Sequence, residues 1–339
     1  MKAVLNIILF SVLVIGVSSC KQRKPEGGLD IETKTIHKDA KRYLMRYNLD
    51  PTNYDLLKKA SDQMEPVIAE LKEPSNSNNA LLWQTYAEIN AKIFQLNTKE
   101  PKPIPSALDL FKNIDLPDEK AMQGFKNSYD LSSEKSQKKD ALEGLKGLQY
   151  DHNASAVRAQ SENDKEAAFY HSSKLIVIHR YIRNYDGESA LTDEQYLNNL
   201  LVSALLAMRI DKNAAAKIAL LELREMKFQD AGVYNNLYKL TKLEGDNVGA
   251  EKYLTEGIKI FPDNALLIFS QINVLQEKGN TAEIVKLVPK AMRMEPNNTV
   301  LYSIQGNSLG ELSRNAFKAG DVENGNSYFR KAEIAFNGG

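Results

Sequence analysis

The chain has 339 residues, of which 42% are hydrophobic and 26% are charged, fractions typical of a folded protein rather than a disordered or membrane-embedded one. Forty-four basic residues balance forty-four acidic ones, so the net charge offers no general attraction to nucleic acid, and we expect no such partner. Cys20 is the only cysteine, which excludes an internal disulfide and a multi-cysteine metal site.

The first 19 residues have the layout of a secretory signal peptide. Lys2 supplies the positive charge, an apolar run extends from Val4 to Val17, and the small residues Ser18 and Ser19 follow. The run is shorter than the roughly 20 apolar residues that a membrane-spanning helix needs. An uncleaved membrane anchor is the alternative.

The tetrapeptide VSSC at positions 17–20 resembles the lipobox of bacterial lipoproteins. The resemblance implies cleavage before Cys20, a diacylglycerol on its thiol and an acyl chain on the freed amine. Several acyl chains anchor a protein durably, because each buried methylene contributes about 0.8 kcal/mol. The resemblance therefore predicts a covalent lipid on Cys20 and attachment to a membrane through it.

Residues 20–36 are predicted to be a flexible tether, because they contain Pro25, Gly27 and Gly28 and little apolar periodicity. In lipoproteins, an aspartate after the cysteine implies retention in the inner membrane, and in some groups an acidic cluster there implies export to the cell surface. The basic stretch KQRK at positions 21–24 instead implies the periplasmic face of the outer membrane, with surface display as the alternative.

A period of 34 residues marks the carboxy-terminal half. Pro262 and Pro296 are 34 residues apart, as are Gly245 and Gly279, and each glycine lies in a break between two helical stretches. Small residues such as Ala250 fall where the two helices of a pair would cross. The pattern predicts repeated helical hairpins, with an ordinary helical bundle as the alternative.

This pattern is similar to the tetratricopeptide repeat (TPR), with units at 197–230, 231–264 and 265–298 and a fourth from 299 onward. The turn of the fourth unit, at Gly320, comes late and predicts a lengthened first helix. We expect an all-α, right-handed α-solenoid of about six TPR-like hairpins, with a degenerate region at 37–196 and TPR repeats at 197–339.

The amino-terminal half is less regular. We predict a helix over about 52–72, then a helix around Trp83 whose partner helix is 106–114, delayed by a proline-rich loop at 97–105. Two long helices, broken at 161–164, are predicted between Lys138 and Arg183.

No short motif for catalysis or cofactor binding occurs. The sequence contains no glycine-rich phosphate loop, no HExxH and no GxSxG. His171 and His179 are eight residues apart, whereas metal ligands on one helix are usually three or four apart, so we expect packing histidines. We predict no enzyme, no metal and no cofactor besides the lipid.

The TPR resemblance implies a partner-binding groove lined by positions 2, 5, 9 and 12 of each first helix. No unit of this sequence has the lysine at position 5 and asparagine at position 9 with which the family binds a carboxylate. The implied groove residues are Asn198, Leu201, Leu205 and Met208, then Asn235, Lys239 and Lys242, then Phe269, Asn273 and Gln276, and finally Ser303 and Asn307. Their amides suit the backbone of a bound peptide or protein partner.

We therefore expect a lipid-anchored envelope scaffold that holds a protein or peptide partner for assembly or secretion. One alternative is a structural spacer with an unused groove. Another is a surface lipoprotein that captures glycans or nutrients together with an outer-membrane transporter. That function needs exposed aromatic platforms, and Trp83, the only tryptophan, is better explained as part of a repeat core.

Overall fold

A computed structural model describes residues 31–71, 79–98, 105–185 and 187–338. These residues form fifteen helices and no strand, which confirms the all-α prediction. Cys20, the signal peptide and the tether as far as residue 30 lie outside the described residues. The helices are α1 (Ile31–Leu49), α2 (Tyr54–Glu70), α3 (Ala80–Thr98), α4 (Pro105–Asp109), α5 (Pro117–Leu131), α6 (Lys135–Ser161), α7 (Lys165–Asn184), α8 (Asp193–Arg209), α9 (Asn213–Glu225), α10 (Ala231–Leu243), α11 (Asn247–Ile260), α12 (Ala265–Glu277), α13 (Thr281–Met294), α14 (Thr299–Lys318) and α15 (Val322–Asn337).

The helices pack as hairpins in chain order. Seven pairs form, close to the predicted number of about six: α1 with α2, α3 with α5, α6 with α7, α8 with α9, α10 with α11, α12 with α13, and α14 with α15. The second helix of each pair also contacts the first helix of the next pair, so the hairpins stack in a TPR-like solenoid. No helix in this described part of the chain has the length and apolar content needed to cross a bilayer.

The carboxy-terminal repeats confirm the 34-residue period. Gly245, Gly279 and Gly320 follow the first helices of three successive pairs with φ values of 87°, 64° and 79°. Only glycine adopts such positive φ values without strain, so these glycines end the helices and start the turns. Helix α14 has 20 residues whereas α12 has 13, which confirms the lengthened first helix of the last unit.

Small residues let the helices within a pair approach closely. A Cβ atom on Gly257 of α11 would lie 2.6 Å from the Cβ of Tyr234 on α10. On Gly124 of α5, a Cβ would lie 2.8 Å from the Cβ of Ala87 on α3. Any side chain at either glycine would force the two helices apart.

Two predictions about the amino-terminal half are wrong. The predicted tether includes residues 31–36, but these lie in α1. Ile36 packs against the hydrophobic core that α1 shares with α2 and α3. The predicted second helix at 106–114 is helical only at residues 106–109, within the short α4, and the partner of α3 is instead α5. Pro117 begins α5 because its fixed φ suits a first helical position.

The predicted boundary between residues 196 and 197 falls inside α8. That helix begins after Thr192. The Thr192 hydroxyl accepts a hydrogen bond from the backbone N–H of Gln195, and the side-chain oxygen of Gln195 accepts one from the backbone N–H of Thr192. This capping box fixes the start of α8, and α7 packs against α8. The degenerate region and the regular repeats are therefore joined by continuous packing. The two long helices predicted between Lys138 and Arg183 are confirmed as α6 and α7.

A buried polar cluster joins the second and third pairs. His152 of α6 is 1% exposed, and its Nδ1 lies 3.0 Å from the Nδ1 of His171 on α7. Its Nε2 lies 3.6 Å from Asp118 Oδ2 of α5, which also accepts a hydrogen bond of 2.6 Å from the Tyr170 hydroxyl. The Phe94 ring of α3 covers the imidazole, with centroids 4.7 Å apart. The cluster thus ties four helices together.

Burial, together with the nearby His171 and Lys174, lowers the pKa of His152 to about 3. The imidazole is therefore neutral in the folded chain at neutral pH. His179, the other histidine of α7, stacks on Tyr196 with ring centroids 4.3 Å apart. Both α7 histidines are thus involved in packing.

Acid should destabilise the fold through His152. The unfolded chain protonates this histidine with an ordinary pKa of 6.5, whereas the folded chain does so only near 3. The free energy of unfolding is therefore fully retained above pH 6.5 and falls as the pH drops from 6.5 toward 3. Thermal unfolding at about pH 7 and pH 5 should show a smaller loss of Tm in His152→Gln than in the natural protein. An equal loss in both would contradict this assignment.

Candidate partner-binding groove

The first helices of successive pairs form one side of the stack. Within it, α1 contacts α3, α3 contacts α6, and α10 contacts α12. We call the surface of α1, α3, α6, α8, α10, α12 and α14 that faces away from the second helices the first-helix face. The groove residues implied by the TPR resemblance lie on α8, α10, α12 and α14.

Most of the predicted groove residues are accessible on this face. Leu201, Met208, Lys242 and Phe269 are half-buried. The exposed ones are Asn198, Leu205, Lys239, Asn273, Gln276, Ser303 and Asn307.

Asn235 is the exception, and its prediction as a groove residue is wrong. It is 3% exposed, and its Oδ1 accepts a hydrogen bond of 2.7 Å from the hydroxyl of Ser270, which is also buried. Asn235 lies on α10 and Ser270 on α12, so the bond joins two successive first helices. The amide therefore stabilises the contact between repeats and is not available to a partner.

The half-buried groove residues have internal contacts as well. The Lys242 ammonium donates to both carboxylate oxygens of Glu277 at 2.6 and 2.7 Å and lies over the Tyr238 ring. The hydrogen bond that Lys242 donates to Glu277 is the main cause of the raised pKa of Lys242. Met208 and Phe269 pack against the cores of their own repeats. The half-buried groove residues named here therefore already make contacts within the protein.

The exposed groove residues of α10, α12 and α14 are polar and available. In the described part of the chain, Lys239, Asn273, Gln276, Ser303 and Asn307 make no side-chain hydrogen bond or ion pair. Amide side chains both donate and accept hydrogen bonds, which is what the backbone of an extended peptide requires. A partner could therefore bind here without breaking any bond inside the protein.

Sequence reasoning missed a cavity in the amino-terminal half of the first-helix face. A space of about 210 Å³ lies between α1, α3 and α6. The one sequence signal that marks it is a pair of glycines inside the long helix α6. The lining residues are Leu44, Asn48, Glu88, Ala91, Lys92, Gln95, Phe125, Gly144, Gly147, Leu148 and Asp151. We call this space the α1–α3–α6 cavity.

A larger depression of about 640 Å³ lies on the opposite side, over α11. Its lining comes almost entirely from one helix and includes Glu251, Lys252, Glu256 and Lys259. These alternating charges form a solvated helix face rather than an enclosed site.

Trp83 lies in a repeat core, and the ionisable side chains of the described residues form no metal-binding cluster. Trp83 is 8% exposed and belongs to the hydrophobic core shared by α1, α2 and α3, as the repeat pattern predicted. Across the described ranges, no cluster of three or more histidine, cysteine, aspartate or glutamate side chains has a metal-binding arrangement.

Comparison with known proteins finds only distant structural similarities. No protein-family model matches the sequence, and no curated protein matches it. A crystal structure of MamA protein is 15% identical, with a TM-score of 0.40, and the match covers 56% of this chain and 92% of that one. The TPR domain of P58(IPK) is 12% identical, with a TM-score of 0.31, over 90% of this chain and 85% of that one. The stacked hairpins themselves make the chain a TPR-like helical repeat protein.

The corrected role of Asn235 can be tested by stability. Asn235→Ala should lower the free energy of unfolding by about 1–3 kcal/mol, because it leaves the buried Ser270 hydroxyl without its acceptor. Asn273→Ala is a matched change at an exposed position of the next first helix and should alter stability by less than about 0.5 kcal/mol. Urea unfolding measures both values. Equal losses would contradict the distinction between the two asparagines.

Proposed function

We propose that this protein is a lipid-anchored scaffold of the bacterial cell envelope that holds an extended segment of a protein partner along its first-helix face. The observation that carries the proposal is the set of exposed, unpaired polar side chains on successive first helices. Asn273 and Gln276 of α12 and Ser303 and Asn307 of α14 belong to it.

The stacked hairpins support this function physically. Each pair contacts its neighbours through buried side chains, so the first helices are held at fixed spacing. A rigid row of amides binds a peptide with less loss of conformational entropy than mobile loops would. Leu205, at the start of the row, adds an exposed apolar contact.

The membrane anchor is proposed from the sequence around Cys20. The VSSC tetrapeptide directly follows the apolar run, and the basic KQRK follows the cysteine. Residues 21–30 would link the lipid to α1, which begins at Ile31. We propose the periplasmic face of the outer membrane as the location and assembly or secretion as the process that the scaffold serves.

Site-specific crosslinking tests the groove. A photoreactive amino acid at Asn273 or Asn307 should crosslink in cells to one and the same partner protein. The same amino acid at Lys252, exposed on the second helix α11, should not. Equal crosslinking from both faces, or none from the first-helix face, would contradict the proposed groove.

Mass spectrometry of the amino-terminal peptide tests the anchor. In protein purified from the membrane fraction of a bacterial host, the peptide should begin at Cys20 and carry the mass of the attached acyl chains. Cys20→Ser should lose this lipid mass while the circular dichroism of the helical repeats stays unchanged. An unmodified Cys20 in the natural protein would contradict the lipid anchor.

A further inference from the structure

The packing around Gly147, in the middle of α6, does not require a glycine at this position. A Cβ atom built on it has nothing within 4 Å, whereas one on the neighbouring Gly144 would lie 2.3 Å from the Phe125 ring. A glycine inside a helix costs about 1 kcal/mol relative to alanine. Gly144 is therefore required by the fold, while the effect of Gly147 is to leave the α1–α3–α6 cavity open.

The floor of this cavity is apolar and its rim is charged. Leu44, Phe125 and Leu148 form the floor and are at most 3% exposed. Glu88 and Asp151 supply two carboxylates at the rim. A floor of this kind suits the methylene stem of a long side chain whose charged end stays near the surface.

The charges at the rim favour a cation. The side-chain amide of Gln95 donates to Asp151 Oδ2 at 2.9 Å, and the Lys92 ammonium donates to Gln95 Oε1 at 3.3 Å. Lys92 is thus directed to the Gln95 oxygen, and within the described residues Asp151 Oδ1 has no hydrogen-bond partner. Two carboxylates against one ammonium leave the rim negative, so an acidic side chain would be repelled.

Asp151 is the carboxylate that a bound cation would stabilise most. Burial raises the pKa of the Asp151 carboxyl, and the Gln95 hydrogen bond and the charge of Lys92 offset only part of that rise. An ammonium or guanidinium beside Oδ1 would further stabilise the charged carboxylate.

From this geometry we infer that the α1–α3–α6 cavity binds a lysine or arginine side chain of the partner segment. The inference rests on the proposed function, since the partner segment must follow the first-helix face. It assigns a binding site for a basic residue at the amino-terminal half of that face, separate from the amide row on α12 and α14.

Short blocked peptides test this inference. The probes are Ac-GGXGG-NH₂ peptides in which X is arginine, lysine, norleucine or glutamate, and saturation-transfer NMR measures their binding to the full chain in detergent. Arginine and lysine peptides should bind, and glutamate should not. Norleucine, which has the stem without the charge, should bind at least about fivefold more weakly, as expected for a half-exposed ion pair.

Two variants locate the binding. Gly147→Leu should fill the cavity and abolish the signal of the basic peptides, while Asp151→Asn should weaken it by about fivefold. Gly310→Leu is the matched control, because Gly310 is also a helical glycine with nothing within 4 Å of its Cβ, and it lies on α14. It should bind the peptides as the natural protein does.

The inference is overturned if no peptide binds, if glutamate or norleucine binds as well as lysine, or if Gly147→Leu binds unchanged. Its failure is distinguishable from failure of the proposed function. If Asn273 crosslinks to a partner but no peptide binds, the scaffold function is supported and the basic-residue site is excluded. If the basic peptides bind but no crosslink forms, the cavity binds basic side chains and the proposed scaffold function is contradicted.

Discussion

Close packing of the two helices within each hairpin is the constraint on which the rest of the structure depends. Gly257 against Tyr234, and Gly124 against Ala87, leave no room for another side chain at the crossing. This approach brings the apolar sides of both helices into contact and buries them. It also turns the first helices to one side of the stack, where a partner can reach them.

Several of the contacts between hairpins are polar. His152 with Asp118, Asn235 with Ser270, and the 2.7 Å ion pair between Arg224 and Glu256 all join different helical pairs. Hydrogen bonds and ion pairs of this kind are stabilising only in one geometry, because each group loses its partner if the hairpins slide. They therefore fix the relative placement of repeats, and with it the spacing of the groove residues.

The two halves of the first-helix face differ in chemistry. The carboxy-terminal half presents exposed amides and hydroxyls on α12 and α14. The amino-terminal half presents a cavity with an apolar floor and a negative rim. A uniform row of amides recognises backbone and selects little among sequences, whereas a charged cavity selects a side chain. The proposed scaffold would gain its selectivity from the less regular half of the repeat array.

The sequence by itself determined the all-α class, the 34-residue period and the turns at Gly245, Gly279 and Gly320, because helix periodicity and positive-φ glycines are local properties. It also predicted exposed positions on α8, α10, α12 and α14, since these follow from the repeat register. Only the tertiary structure decided that α5 rather than 106–114 pairs with α3, that Asn235 is buried, and that a cavity exists. Each of these depends on which side chains other helices bring alongside, and residues from α1, α3 and α6 that meet in space lie far apart in the chain.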